Sequence, residues 1–316
     1  MENFIFSLNA TLPVFFVMFL GWVLLRTRLL NENFIQTADK YVFKIALPVL
    51  LFQDIATADI TEVFDLTFIL FCMCSTILMF LGVWLFSWLF IRDRSMVGAF
   101  AQGSARGSAA ILGIAFVQNI YGDSGMAPLM IVSAVPFYNI ISVIILTFHA
   151  RGQENMDKRT QIRKACINVA KNPIIWGILS GLPFAVFHWT IPAAPAKAIS
   201  YVASTATPLA LLTIGAGFDW SKAMAKWKPA LAASLIKLVV LPALFFPAAL
   251  YFGFRQSELV AILVMLGSPT TVTCYIMAKN MGNDEVLSSG IIVLATLLSS
   301  VTLTGWIYLL RVFSLI

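Results

Sequence analysis

The chain is a succession of apolar runs about twenty residues long, separated by short polar connections, and that rhythm limits what it can fold into. A helix needs roughly 20 apolar residues to cross the hydrocarbon core of a bilayer. Ten such runs can be drawn, at about 5–25, 38–57, 66–90, 97–120, 127–149, 172–190, 199–217, 229–252, 258–280 and 286–310. Of 316 residues, 60% are hydrophobic and 11% charged, far too apolar for a soluble domain of this size. The sequence therefore predicts one all-α integral membrane domain over 1–316, with ten transmembrane helices.

The connections alternate in charge. Arg26 and Arg28, Arg92 and Arg94, Arg151 to Lys171, Lys222 to Lys228, and Lys279 fall in or beside odd-numbered connections. Even-numbered connections and the C-terminal end hold only Lys197, Arg255 and Arg311, while Asp59, Glu62 and Asp65 make the second one acidic. Basic residues collect on the cytoplasmic side, so both termini are expected outside a plasma (inner) membrane. The net charge of +6 describes topology and does not point to nucleic acid.

A shift of 160 residues lays Pro13 on Pro173, Gly21 on Gly181, Pro48 on Pro208, Gly107 on Gly267 and Gly122 on Gly282. Fewer than about one such Pro or Gly coincidence is expected by chance, and these residues mark backbone geometry. Asp59 also falls on Asp219, and Ser108 on Ser268. Two halves follow, 1–150 and 171–316, joined by the basic loop 150–171. Each holds five spans, so the second half enters the membrane inverted, an arrangement recurrent in secondary transporters.

In the stretch Met265 to Asp284, which begins inside the ninth run, the residues Gly267, Ser268, Pro269, Thr270, Thr271 and Thr273 crowd into seven positions. Proline removes a helical donor and clashes with the preceding turn. Backbone groups freed in this way are tolerated at membrane depth only inside protein or beside a water-filled cavity. The fourth run, from Gly103, is similarly rich in small residues and carries Arg106 well inside it. Small residues also serve plain close packing of helices. The matching places in the two halves favour discontinuous helices in spans four and nine.

Among polar residues in apolar runs, Arg106 is the sharpest signal. It is either a fixed cation that recognises a carboxylate, or a structural ion pair or snorkelling arginine near Arg92 and Arg94. Lys237, ~12 Å into its run, either snorkels or serves as a charge partner. Gln53 and Asp54 lie near the outer end of span two, where Asp54 either carries a proton or ends the span beside an acidic loop. Asn139, just after Pro136, suits contact with cargo or with broken backbone, and Lys40 and Lys44 suit anchors at the inner face. Cys72 and Cys74 would face different sides of a helix. Neither His149 nor His188 has a second ligand at metal spacing, and no phosphate loop or nucleophile motif is present. Neither an enzyme nor a resident metal or other cofactor is expected.

Several stretches resemble the auxin efflux carrier family, which includes plant PIN carriers and bacterial malonate and malate carriers. They are Ala46-Leu47-Pro48-Val49-Leu50-Leu51-Phe52, Ala206 to Ala216, Lys237-Leu238-Val239-Val240-Leu241-Pro242, Pro269 to Lys279, and Lys171-Asn172-Pro173. The resemblance spans essentially the whole chain. It implies a scaffold of spans one, two, six and seven, kinked at Pro48 and Pro208, and a transport domain of the other six that moves against it. It further implies that spans four and nine unwind where they cross, at Gly113-Ile114-Ala115 and Thr273-Cys274-Tyr275, to form the anion site. Ser108 stands where the family commonly has Asn, and Arg106 where many bacterial members have a basic residue. Ala115 and Cys274 stand where a proline is usual.

The expected cargo is a small organic anion, a carboxylate such as malonate, malate or an auxin-like acid. The residues expected to hold it are Arg106, Ser108, Gly113, Ala115, Asn139, Ser268, Pro269, Thr270, Thr271, Thr273 and Cys274. Gln53, Asp54 and Lys237 are candidates for coupling or gating, with H+ or Na+ as the ion. A sodium-coupled carrier of the related bile-acid symporter type is the rival reading, and a membrane sensor without turnover a more distant one. A homodimer is left open.

Overall fold

In the computed structural model the described residues are 2–57, 65–122, 125–150, 158–187 and 189–316. Asp59, Glu62, Arg151 and His188 lie outside them.

The first half holds α1 (Glu2–Arg26), α2 (Glu32–Tyr41), α3 (Leu47–Ala56), α4 (Leu66–Phe90), α5 (Arg94–Ala105), α6 (Ala109–Tyr121) and α7 (Ala127–Phe148). The second holds α8 (Lys158–Lys171), α9 (Pro173–Phe187), α10 (Ala193–Ser204), α11 (Ala206–Ala216), α12 (Trp220–Ala225), α13 (Trp227–Leu235), α14 (Leu241–Tyr251), α15 (Gln256–Gly267), α16 (Thr273–Asn280) and α17 (Glu285–Val312). Among the described residues, five stretches are single helical runs long and apolar enough to cross a bilayer: Leu66–Phe90, Ala127–Phe148, Ala193–Ala216, Trp227–Tyr251 and Glu285–Val312. Bulky apolar side chains such as Phe16, Phe19, Leu78, Trp88, Trp176 and Tyr308 point outward, as lipid-facing residues do.

The ends of these helices are written locally. Asp65, Asp93, Asp219 and Asp284 each cap a helix by accepting backbone N–H groups of its first turn, satisfying donors that have no partner within the helix. The Ser95 hydroxyl donates to the Asp93 carboxyl as well, holding it below the usual carboxylate range.

Two prolines, Pro48 and Pro242, each follow a π turn within a longer helical run. A five-residue π turn, Val42–Ala46, joins α2 to α3 ahead of Pro48, and another, Ile236–Val240, joins α13 to α14 ahead of Pro242. Proline has no N–H to return to the carbonyl four residues back, so the ladder loosens there. At Pro242 that carbonyl, Leu238 O, accepts instead from Trp306 Nε1 at 2.9 Å. Pro48 thus sits beside a π turn, whereas Pro208 follows a helix junction at Thr205.

The helices pack as two groups. In one, α1 lies on α11, α3 on α9 and α10, and α2 on α11; in the other, α4, α5, α6, α7, α13, α15 and α17 pack among themselves. α16 reaches across, touching α5, α7 and α17 on one side and α2 and α11 on the other. Glycines set the closest approaches in the first group. A methyl at Gly21 would overlap Leu212 O, and one at Gly181 would lie 2.9 Å from Phe52 O. A shift of 160 residues turns the second contact's partners into the first's, with the halves exchanged.

Candidate functional site

Both broken elements are interrupted, but not where the family resemblance implies. The fourth run breaks at 106–108, between α5 and α6, with Arg106 extended at φ −83°, ψ 117°. The ninth breaks at 268–272, between α15 and α16, opened by Ser268 at φ −69°, ψ 152°. Gly113-Ile114-Ala115 are helical residues of α6, and Thr273-Cys274-Tyr275 open α16. The resemblance therefore misplaces the crossing by one to two turns in span four and by a few residues in span nine. Ala115 and Cys274 are ordinary helix formers, so nothing at those places interrupts the hydrogen-bond ladder.

The two breaks meet. Gly107 and Thr270 form an antiparallel bridge, the single β pairing among the described residues. Ser108 N donates to Pro269 O at 2.9 Å, and Thr270 Oγ1 donates to Gly103 O at 2.7 Å. Main chain that cannot bond within its own helix thus bonds across the crossing, which the membrane interior requires. Gly107 permits this approach, because a methyl there would overlap Ser268 Oγ and lie 2.9 Å from Lys237 Cε. Both elements are sheathed in protein: Val97 to Ala105 of α5 and Leu259 to Gly267 of α15 are all buried.

Arg106 does not snorkel; it is 4% exposed and turns inward. Its NH2 donates to Asn139 Oδ1 at 2.6 Å and its NH1 to Met277 Sδ at 2.8 Å. Asn139 is held by its own donation to Val135 O at 2.9 Å, so it presents its oxygen to the guanidinium. No ion pair to Arg106 occurs among the described residues. A thioether and one amide oxygen are thin compensation for a charge held in a bundle interior.

Lys237 is fully buried and does not snorkel either. Its ammonium donates to Ala105 O and Met265 O, each at 3.0 Å, in the last turns of α5 and α15. Tyr138 OH adds a 2.6 Å bond to Met265 O. Ser268 Oγ is buried without a hydrogen-bond partner among the described residues. Thr273 and Thr271 face one another at 3.4 Å, and Cys274 is buried.

Arg106, Ser108, Asn139, Ser268, Pro269, Thr270 and Lys237 thus gather at or against the crossing. Gln53 and Asp54 do not; Gln53 lines a separate cavity of about 360 Å³ with Trp189 and Thr190. Met277, Tyr138 and Gln102, whose Nε2 reaches Met277 Sδ at 3.4 Å, were not singled out by the sequence. Tyr138, a hydroxyl between Pro136 and Asn139 in an apolar run, was the available signal. No cluster of metal-ligating side chains occurs among the described residues.

Sequence comparison agrees with this architecture. A family model described as "Membrane transport protein" matches residues 6–307. An "Uncharacterized transporter" of Methanothermobacter thermautotrophicus is 24% identical over 307 residues, covering 96% of this chain and 98% of its own. A "Putative malonate transporter" of Rhizobium meliloti is 25% identical over 310 residues, covering 96% and 95%. "Uncharacterized transporter YfdV" of Escherichia coli is 24% identical over 324 residues, covering 98% and 99%. An all-α bundle with membrane-length helices, two of its elements broken and meeting in the interior, belongs to the membrane transport protein family of the auxin efflux carriers, whose members are transporters and not enzymes.

Proposed function

We propose that this transporter is a secondary carrier of a small organic anion, bound at the crossing of the two breaks and moved by alternating access. The observation that carries the reading is Arg106, a buried cation with no carboxylate partner among the described residues, beside the starts of α6 and α16. Helix N-termini carry roughly +0.5 charge each, so the site is electropositive before cargo arrives. Ser268 Oγ, buried and unpartnered, supplies a hydroxyl. Ser108, Thr270, Thr271 and Thr273 complete the polar lining, with Pro269 in the same break and Cys274 in the first turn of α16, while Gly113 and Ala115 stand further along α6. A dicarboxylate of malonate's size is the first cargo to test, given the name of the Rhizobium relative.

In this reading the chain has ten spans in two inverted five-span repeats, both termini outside the plasma membrane, and the group containing α1, α3, α9 and α11 is the scaffold. The exchanged glycine contacts, Gly21 with Leu212 and Gly181 with Phe52, support the repeat. Proton coupling through Asp54, with Gln53 beside it, is part of the proposal. The test is counterflow of labelled malonate in proteoliposomes. Arg106→Ala should abolish it while the purified protein keeps its helical content; unchanged counterflow would remove Arg106 from the site.

A further inference from the structure

Lys237 lies against the crossing but is not among the groups assigned to the cargo. Its ammonium is buried, and no ion pair to it occurs among the described residues. What it touches is two carbonyls, Ala105 O and Met265 O, both at 3.0 Å. They belong to the two half-helices that stop at the crossing, α5 and α15. Each helix C-terminus carries roughly −0.5 charge, so the pair presents about one negative charge to the one ammonium. In carriers built from broken helices, such C-terminal ends and unwound carbonyls are where a coupling sodium ion is held.

We propose that Lys237 replaces the coupling cation: its tethered ammonium fills the carbonyl seat between the ends of α5 and α15, and the carrier works without sodium. This rests on the transport reading and extends it to the choice of coupling ion.

Two further features point the same way. A methyl on Gly107 would overlap Ser268 Oγ and sit 3.0 Å from Lys237 Nζ, so hydroxyl and ammonium flank one small space. Ser268 Oγ has no hydrogen-bond partner among the described residues. With the ammonium withdrawn, Ala105 O, Met265 O and Ser268 Oγ would make a set of hard oxygen donors suited to a small alkali cation. The lysine is also held in place from behind. It leaves the π turn ahead of Pro242, and Trp306 Nε1 fixes the next carbonyl, Leu238 O, at 2.9 Å. The long stem is directed to the crossing rather than to the membrane surface.

The experiment compares wild type, Lys237→Ala and Lys237→Arg by thermal shift in sodium, potassium and choline chlorides at equal ionic strength, with malonate counterflow of wild type in the same salts. The expected wild-type melting midpoint is the same in all three salts, and counterflow is indifferent to sodium. Lys237→Ala should melt lower and regain part of the loss as sodium rises, with no such gain in choline. Lys237→Arg, which keeps a tethered cation, should stay insensitive to sodium. A sodium-dependent midpoint or a sodium requirement in wild type overturns the proposal and leaves the anion site standing. Failure of Lys237→Ala to respond to sodium overturns it as well. Should that variant not be obtained folded, the wild-type sodium titration alone decides. Absence of wild-type counterflow in every salt counts against the transport reading, while the thermal arms still judge Lys237.

Discussion

Arg106 carries the account because its charge is placed where it is costly and left without a counter-charge. Insertion of an arginine at the centre of a span costs about 3 kcal/mol, and an amide and a thioether recover only part of it. An anion supplying two oxygens would complete its hydrogen bonds. Arg106→Gln should therefore weaken dicarboxylate affinity by at least about 30-fold, the lower end for losing one member of a buried charge pair. Arg106→Lys should fall between, since a lysine cannot reproduce the planar fork; equal affinity of all three proteins, by equilibrium binding in detergent, would contradict this. Gly107→Ala should lower stability by about 1–3 kcal/mol, because the added methyl meets Ser268 and Lys237 inside a packed crossing. A melting midpoint unchanged from wild type would show that the two breaks lie further apart than described here. Arg106 was legible in the sequence as a charge in an apolar run. Asn139 was legible too, but its bond to Arg106 and the part of Met277 were not, because the three lie on different elements and no local pattern announces their convergence.

The helical elements were legible to the degree that their punctuation is local. Gly267, Ser268 and Pro269 stop α15 by their own chemistry, and the stretch 267–273 was read as interrupted for that reason. The break at 106–108 depends on a distant partner, Thr270, and on Gly107 allowing the approach, so residue pattern alone placed it only within a run. Transfer of the family's crossing to Gly113–Ala115 failed because this chain lacks the proline there. The fit between α1 and α11, and between α9 and α3, depends on glycines facing backbone. Gly21→Ala and Gly181→Ala should each lower the melting midpoint, by an amount corresponding to about 1–3 kcal/mol. Gly82→Ala, in α4 with nothing within 4 Å of the added carbon, should be neutral or slightly stabilising. Equal effects at all three positions would mean that helix propensity, not close approach, sets their role. Trp306→Phe should cost about 1–3 kcal/mol by leaving Leu238 O without a partner, a loss read by the same melting experiment.

For the molecule as a whole, two packing groups and the contacts between them, α1 on α17, α7 on α9 and α16 on both, define what can move. α16 crosses between them, and its Lys279 pairs with the buried Asp39 of α2 while also donating to Tyr275 OH at 3.1 Å. Beside that element lie two cavities of about 680 and 570 Å³, the first lined by Lys44, Lys171 and Asn280, the second by Lys279 and Glu32. None of these four cavities is lined by crossing residues. In the alternating-access reading the groups shift against one another, and the Asp39–Lys279 pair is a contact that such a shift would break. A double-mutant cycle on Asp39→Asn and Lys279→Met should give a coupling of about 0.5–3 kcal/mol in stability; additive effects would exclude the pair as a link between the groups. The membrane class was written in hydropathy, whereas the division of several runs into two helices and the grouping of helices were not, because they depend on backbone punctuation and on which apolar faces meet. The most direct check is a crystal soaked with bromomalonate and measured at the bromine edge. The account predicts an anomalous peak beside the Arg106 guanidinium, between Ser108 and Ser268; a peak confined to the lysine-lined cavity of Lys44 and Lys171, with none at the crossing, would contradict it.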